Sequence, residues 1–537
     1  MTEAGKPSPH PSSRGYWTWC AALTAPLLVS LVWRWWLRGD YFAGYEVLGA
    51  AEGKRLLVNE GLWPALHYLM TFRTRQEAMA AQGLVWSFIP GAASLLWPAV
   101  WWQAAATLAA CVVGVLLVAR ATGWMLGEGC AWAALAWASS FVLCAYSING
   151  FLWGGVFLPY AFVLAGVWGA RRWWTSLILV LLGLELAWHT YELGKLVGVL
   201  AVLAAVTTTD RSRGLRAAWA VAGLLELYAA FVYWPTGNFG TFVRIGTAAM
   251  GGASEAESRQ LTGLGRAAWE LVRAFSTWAP GTSPEHIDFP TLPALGLVGA
   301  LLAGRRRNLA LALWLFSFAL LGTVSVSHQL WPRRTPLFLW TSLACLLAGL
   351  RERAWLRPIA VVLLVITTAV QLAGMARHSA SVRFENAARY PVPGMAGGEG
   401  AGIVEPLAVR WVNEIVRRVR SGQTVVLLDD LTCYPENWTN PVGVPEQLYV
   451  RLTPAEWRDR LYAISETPLW CRYDCLPAHP SSELPELLPL LAARKAWVTF
   501  DPVCTLMGQG AQMAAVRRQF PPPATLLEGR FEFFPVQ

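Results

Sequence analysis

Two carboxylates follow closely on the end of a long apolar run. In RWWLRGDYFAGYEVLGAAEG the run closes at Leu37, and Asp40 and Glu46 come next among aromatics and glycines. A carboxylate placed there can take a proton from a hydroxyl or amine and make it a better nucleophile. The plainer reading is a solvated loop residue. Farther on, SVSHQLWPRRTP brings His328, Arg333 and Arg334 together. Guanidinium forks match phosphate oxygens, while an ordinary interfacial loop is the other reading. In WHTYELGK, His189, Tyr191 and Glu192 occupy a tight turn, with Lys195 just inside the next apolar run. Ionisable groups at membrane depth are costly unless they face a protein interior or a wet cavity. A local ion pair, or a lysine reaching for the surface, explains them as well. His67 in LWPALHYLM is a further polar candidate, and HIDF carries His286 and Asp288. That last pair has the chemistry of metal ligands, but two side chains make no site. No cofactor is firmly implied, and a divalent metal has no motif to hold it. Together these residues suit one cavity, with a carboxylate at one rim and arginines at another to stabilise charge on a departing phosphate.

The elements that must position them are membrane helices. Of 537 residues, 55% are hydrophobic and 14% charged, and the mean hydropathy is +0.40. A soluble chain of this size carries closer to ~25% charged residues. Apolar runs at 16–37, 101–119, 127–146, 153–170, 173–188, 193–207, 216–235, 290–304, 308–327, 335–350 and 358–376 predict a polytopic α-helical membrane protein of about 11 spans. The 290–304 run is short for a span, and Pro90, Gly91 and Pro98 turn 83–98 into an interfacial or re-entrant piece. The net charge of +9 comes largely from arginines between runs: Arg120, Arg171–Arg172, Arg211/Arg213/Arg216, Arg305–Arg307 and Arg351/Arg353/Arg357. With eleven spans all of these fall on one side, which the positive-inside rule makes cytoplasmic. They read as a topology signal, and no nucleic-acid partner is implied. Residues 1–15 are then a cytoplasmic tail, 16–376 the multi-span domain with outer loops 38–82 and 236–289, and Asp40 faces outward. The 31 tryptophans fit membrane interfaces; stacking on sugar rings is the sharper alternative.

Residues 377–537 are polar and predict an extracytoplasmic soluble α/β domain. EPLAVRWVNEIVRRVRSG has helical periodicity and a Gly stop. TVVLL and AWVTF read as strands, and TPAEWRDRLYAI opens with the Thr453/Glu456 spacing of a capping box. Cys20, Cys111, Cys130, Cys144 and Cys345 read as small apolar fillers. Cys433, Cys471, Cys475 and Cys504 are disulfide candidates in an oxidising compartment, with three pairings open; a zinc site is the rival, though CRYDC lacks the usual paired spacing. NWT at 437–439 is a glycosylation sequon.

This order of parts resembles the GT-C superfamily of integral-membrane glycosyltransferases, including the protein O-mannosyltransferase and aminoarabinose-transferase branches. RGDYFAGYEVLGAA occupies the place of that family's acidic outer-loop motif, without the paired acidic form found in several branches. The resemblance implies an inverting transferase at the outer face of a bacterial inner (plasma) membrane. Its donor would be a polyprenyl-phosphate sugar and its acceptor a lipid, glycan or protein. Asp40 would be the base, Glu46 the reserve, and Arg333 and Arg334, with Lys195, ligands of the donor phosphate. His67, His189, Tyr191, Glu192 and His328 would line the cavity. Two other classes fit the composition: a lipid or polymer transporter or flippase, and a non-catalytic assembly or binding protein.

Overall fold

The computed structural model describes residues 13–38, 44–71, 84–139, 157–189, 197–233, 292–327, 336–381, 406–429, 444–465, 478–479, 481–500, 525–527 and 531–536. These are mostly helical. From the N-terminus run α1 (Ser13–Arg38), α2 (Gly44–Asn59), α3 (Leu62–Thr71), a π turn (Leu84–Phe88), α4 (Ile89–Leu96), α5 (Trp102–Leu126), a 3-10 turn (Glu128–Trp132) and α6 (Ala133–Ala138). Next come α7 (Phe157–Leu164) with a π turn (Ala165–Gly169), α8 (Trp173–Trp188), α9 (Val197–Thr207), α10 (Arg213–Tyr233), α11 (Leu292–Leu302), α12 (Arg307–Ser327), α13 (Pro336–Arg351) and α14 (Arg357–Ser381). A helix stands at each of the eleven apolar runs, but the lengths are uneven. Among the described residues only α5 is long and apolar enough, by length and composition, to cross a membrane. At 1.5 Å per residue, the described parts of α9 and α11 are only ~16 Å long, against a hydrocarbon core of ~30 Å. The doubtful 83–98 stretch is indeed broken: α4 ends at an extended Trp97, the geometry favoured before a proline.

The helices are joined by close packing of small residues. A Cβ on Gly198 of α9 would lie 2.6 Å from the carbonyl oxygen of Gly223 on α10, and the reverse is equally tight. Only glycine lets the two backbones meet there, the device by which helices associate where burial from water cannot drive them.

One end of the bundle gathers the basic loops. The Arg351 and Arg306 guanidiniums press against Gly127 at the end of α5. The Trp124 ring lies against Gly169, and Arg211 donates to the Ala170 carbonyl at 2.8 Å. So the α5–α6, α7–α8, α9–α10, α11–α12 and α13–α14 connections meet at one end, as the charge pattern predicts.

At the other end sits the C-terminal domain: α15 (Pro406–Arg420), β1 (Val425–Asp429), α16 (Val444–Arg451), α17 (Pro454–Arg460), β2 (Leu461–Ser465), β3 (Ala478–His479), α18 (Leu484–Ala493), β4 (Trp497–Phe500), β5 (Thr525–Leu527) and β6 (Phe531–Pro535). The sheet order is β3-β2-β1-β4-β6-β5, parallel from β3 to β4 and antiparallel at β6 and β5. Val425–Leu428 are buried on both faces, as parallel strands under helices are. Trp411, Val412, Ile415 and Val419 give α15 its buried stripe, and Gly422, at φ +90°, stops the helix. The capping box forms: Thr453 Oγ1 accepts from the Glu456 N–H and Glu456 Oε2 accepts from the Thr453 N–H. LYAI follows α17 directly as the start of β2, its residues pairing in parallel with β1.

The boundary between the two parts also differs from the expectation of a separate soluble domain. Val47, Ala50 and Ala51 of α2, with Val100 and Ala104 at the start of α5, are buried in the same apolar core as the domain's strands. The predicted polar loop 38–82 thus holds two helices, and α2 is clamped on two sides. A Cβ on Gly53 would come within 1.8 Å of the Ser87 carbonyl oxygen, and one on Gly91 within 2.4 Å of the Gly53 backbone.

Candidate functional site

The domain end of the bundle is where polar groups collect. Glu46 lies in the first turn of α2, a helix built from good helix formers and stopped by Gly61 at φ +82°. Six residues on, Glu52 is buried but already neutralised: Arg55 donates to both of its oxygens, at 3.0 and 2.8 Å. His67 is placed on α3 with its side chain exposed.

His189 closes α8, its backbone N–H bonded to the Leu186 carbonyl at 3.0 Å. Its ring is buried, with Nε2 3.4 Å from Glu185 Oε1 one turn back. Beside it the Trp188 indole N–H donates to Glu226 Oε2 of α10 at 2.6 Å. Gly198, at the start of α9, abuts the Glu226 side chain. The end of α8 thus holds a His189–Glu185 pair, and its Trp188 ties it to Glu226 of α10. A histidine beside a carboxylate can pass protons, since the partner fixes which ring nitrogen holds one. Glu226 adds a fixed acceptor, 8% exposed.

This cluster and α2 are joined through packing. Trp86 of the first π turn is buried with Ala110 of α5 and Leu158 of α7, and Leu186 of α8 packs against them. The Trp86 carbonyl in turn lies against Gly49 of α2. Glu46 and His189 thus belong to the same end of the molecule.

No protein-family model, curated protein or solved structure matches the chain. Its reading rests on the residues themselves.

Asp40, Tyr191, Glu192, Lys195, His286, Asp288, His328, Arg333, Arg334, Cys433, Cys471, Cys475 and Cys504 lie outside the described residues. The described ends that flank several of them are informative. Asp40 falls between α1 and α2; Tyr191, Glu192 and Lys195 between α8 and α9; His328 and the two arginines between α12 and α13. α8, α9, α12 and α13 each have their other terminus at a basic loop. Cys20, Cys111, Cys130 and Cys345 are buried, as small apolar fillers are, and Cys144 lies outside the described residues.

Glu185, Glu226 and Lys54 were not among the sequence candidates. The first two had a readable signal, an acid inside the apolar stretches GLELAW and GLLELYAA. Lys54 had none, because AAEGKRLLVNE reads as an ordinary solvated helix.

Proposed function

We propose that the chain is a polytopic membrane glycosyltransferase of GT-C type, working at the outer face of a bacterial plasma membrane on a polyprenyl-phosphate sugar. The observation that carries this reading is the polarity of the bundle. The domain, Glu46 and the His189 cluster share one end, while the basic loops share the other. Between them α5 extends ~38 Å, enough for a bilayer core of ~30 Å. Large apolar side chains face outward along the helices between, among them Leu28, Val113, Leu181, Leu225, Val298 and Val365; in water such a surface would be a liability. Exposed tryptophans mark both levels: Trp17, Trp124, Trp173 and Trp355 toward the basic loops, Trp63, Trp97 and Trp101 toward the domain. Two aromatic girdles are what the two membrane interfaces favour.

In this reading Asp40 accepts the proton of an acceptor hydroxyl or amine, with Glu46 as the reserve. The freed lone pair attacks the anomeric carbon, and the bond from that carbon to the carrier phosphate breaks. Arg333 and Arg334 take up the charge on the leaving phosphate. The test uses wild type and Asp40→Asn in nanodiscs, offered a panel of radiolabelled polyprenyl-phosphate sugars, with release of carrier phosphate as readout. Release by wild type alone is expected. Equal release by both excludes Asp40 and moves attention to Glu46.

A second reading, a transporter, has one observation in its favour: the buried Glu226–Trp188 pair, with the buried His189 ring beside a half-exposed Glu185, within the helices. Saturable carrier binding without phosphate release, with binding or translocation lost in Glu226→Gln, would favour it.

A further inference from the structure

The end of α16 presents its last carbonyls outward, as every helix C-terminus does. Within the domain, Arg420 of α15 donates to the Arg451 carbonyl at 2.8 Å. The carbonyls of Tyr449, Val450 and Leu452 are taken by a residue from outside the domain: the Lys54 amine of α2, at 2.9, 3.2 and 2.6 Å. The amine also lies 5.8 Å from the Tyr449 ring centre and 5.2 Å from that of Trp457, and those rings stack on each other at 4.0 Å. Lys54 is 0% exposed. A cation at a helix C-terminus is favourable, and ring faces add to it. A lysine otherwise resists full burial. This one reaches across some four hundred residues of chain to a pocket made for an amine.

We propose that Lys54 is a positioning residue that pins the C-terminal domain to α2, so that the domain sets the place of the helix whose first turn bears Glu46 and which Asp40 precedes. The positioning half rests on reading those acids as the reacting groups; the pin itself does not. Gly53, next to Lys54, holds α2 against the Ser87 backbone, so one helix turn registers the domain against the bundle.

The experiment follows backbone hydrogen exchange and donor turnover together, on full-length protein in nanodiscs. In Lys54→Met three buried carbonyls lose their donor, and exchange in α2 and α16 should rise about 10- to 100-fold while β1 and β4 stay protected. Donor-dependent release should lose kcat with KM held, and Lys54→Arg should restore part of both. Unchanged exchange in Lys54→Met overturns the pin. Raised exchange with unchanged kcat overturns the positioning role. If wild type releases no carrier phosphate from any donor, the transferase reading fails, and exchange alone decides the pin. Should Lys54→Met fail to fold, Trp457→Phe gives a milder test: a smaller rise confined to α2 and α16 is expected, and none overturns the pin.

Discussion

At the scale of single residues, three charged groups carry most of the argument, and each is placed by what surrounds it. Burial lowers the Lys54 pKa from 10.5 to about 7, with Glu456 of α17 pulling it up and Arg420 of α15 adding to the fall. Further charges on the packed elements are Arg451 of α16, the Glu52–Arg55 pair of α2, Glu414, Arg417 and Arg418 of α15, and Arg458, Asp459 and Arg460 of α17. A lysine whose docked pKa lies below its free value binds fewer protons docked than undocked. Docking should therefore be weakest below about pH 7 and strengthen as pH rises toward 10.5. Exchange protection of α16, corrected for intrinsic rate, should grow between those limits in wild type and stay flat in Lys54→Met. Glu414 shifts in the same sense, at acid pH. Burial pushes its carboxyl up, but Arg417 and Arg418 outweigh that and hold it below its ordinary value. Its contribution to the domain is present above pH 4.5 and lost as pH falls further. Glu226 anchors the buried Trp188 N–H, so Glu226→Leu should cost about 1–3 kcal/mol in thermal unfolding, while Glu226→Gln keeps an acceptor and the fold.

At the scale of elements, α2 decides how the parts meet. Its sequence, with Gly49 and Gly53 in its interior, looks like a marginal loop helix. In the fold those glycines are the contact face: Gly49 meets Trp86 and Gly53 meets Ser87. Gly53→Ala should destabilise by about 1–3 kcal/mol, because backbone cannot yield as a side chain can. Gly114→Ala in α5 is the control. Nothing lies within 4 Å of its added Cβ, and a gain of about 0.5–1 kcal/mol is expected from the stiffer helix. Thermal unfolding of both variants in one detergent separates the two effects. The strands were legible where β-branched residues ran together, as in VVLL. LYAIS was not, because it follows a capped helix directly and local pattern gives no sign of where the sheet takes over.

At the scale of the whole molecule, the bundle has two unlike ends. In a background lacking Cys433, Cys471, Cys475 and Cys504, a membrane-impermeant maleimide applied to intact cells should label Ser421→Cys in the domain and spare Ser212→Cys in a basic loop. Both should label after permeabilisation, and the reverse pattern would overturn the topology. The sequence alone determined the mostly helical architecture, the gathering of the arginine-bearing connections at one end and the α/β character of the last third. Those features follow from composition, periodicity and charge, which act over a few turns of chain. Only the tertiary structure decided that α2 is a buried strut, that Lys54 closes the end of a helix near residue 450, and that Glu226 meets Trp188. Those pairings join segments far apart in the chain. Burial, which turns a solvated lysine or glutamate into a structural one, is set by the partner and not by the neighbours in sequence.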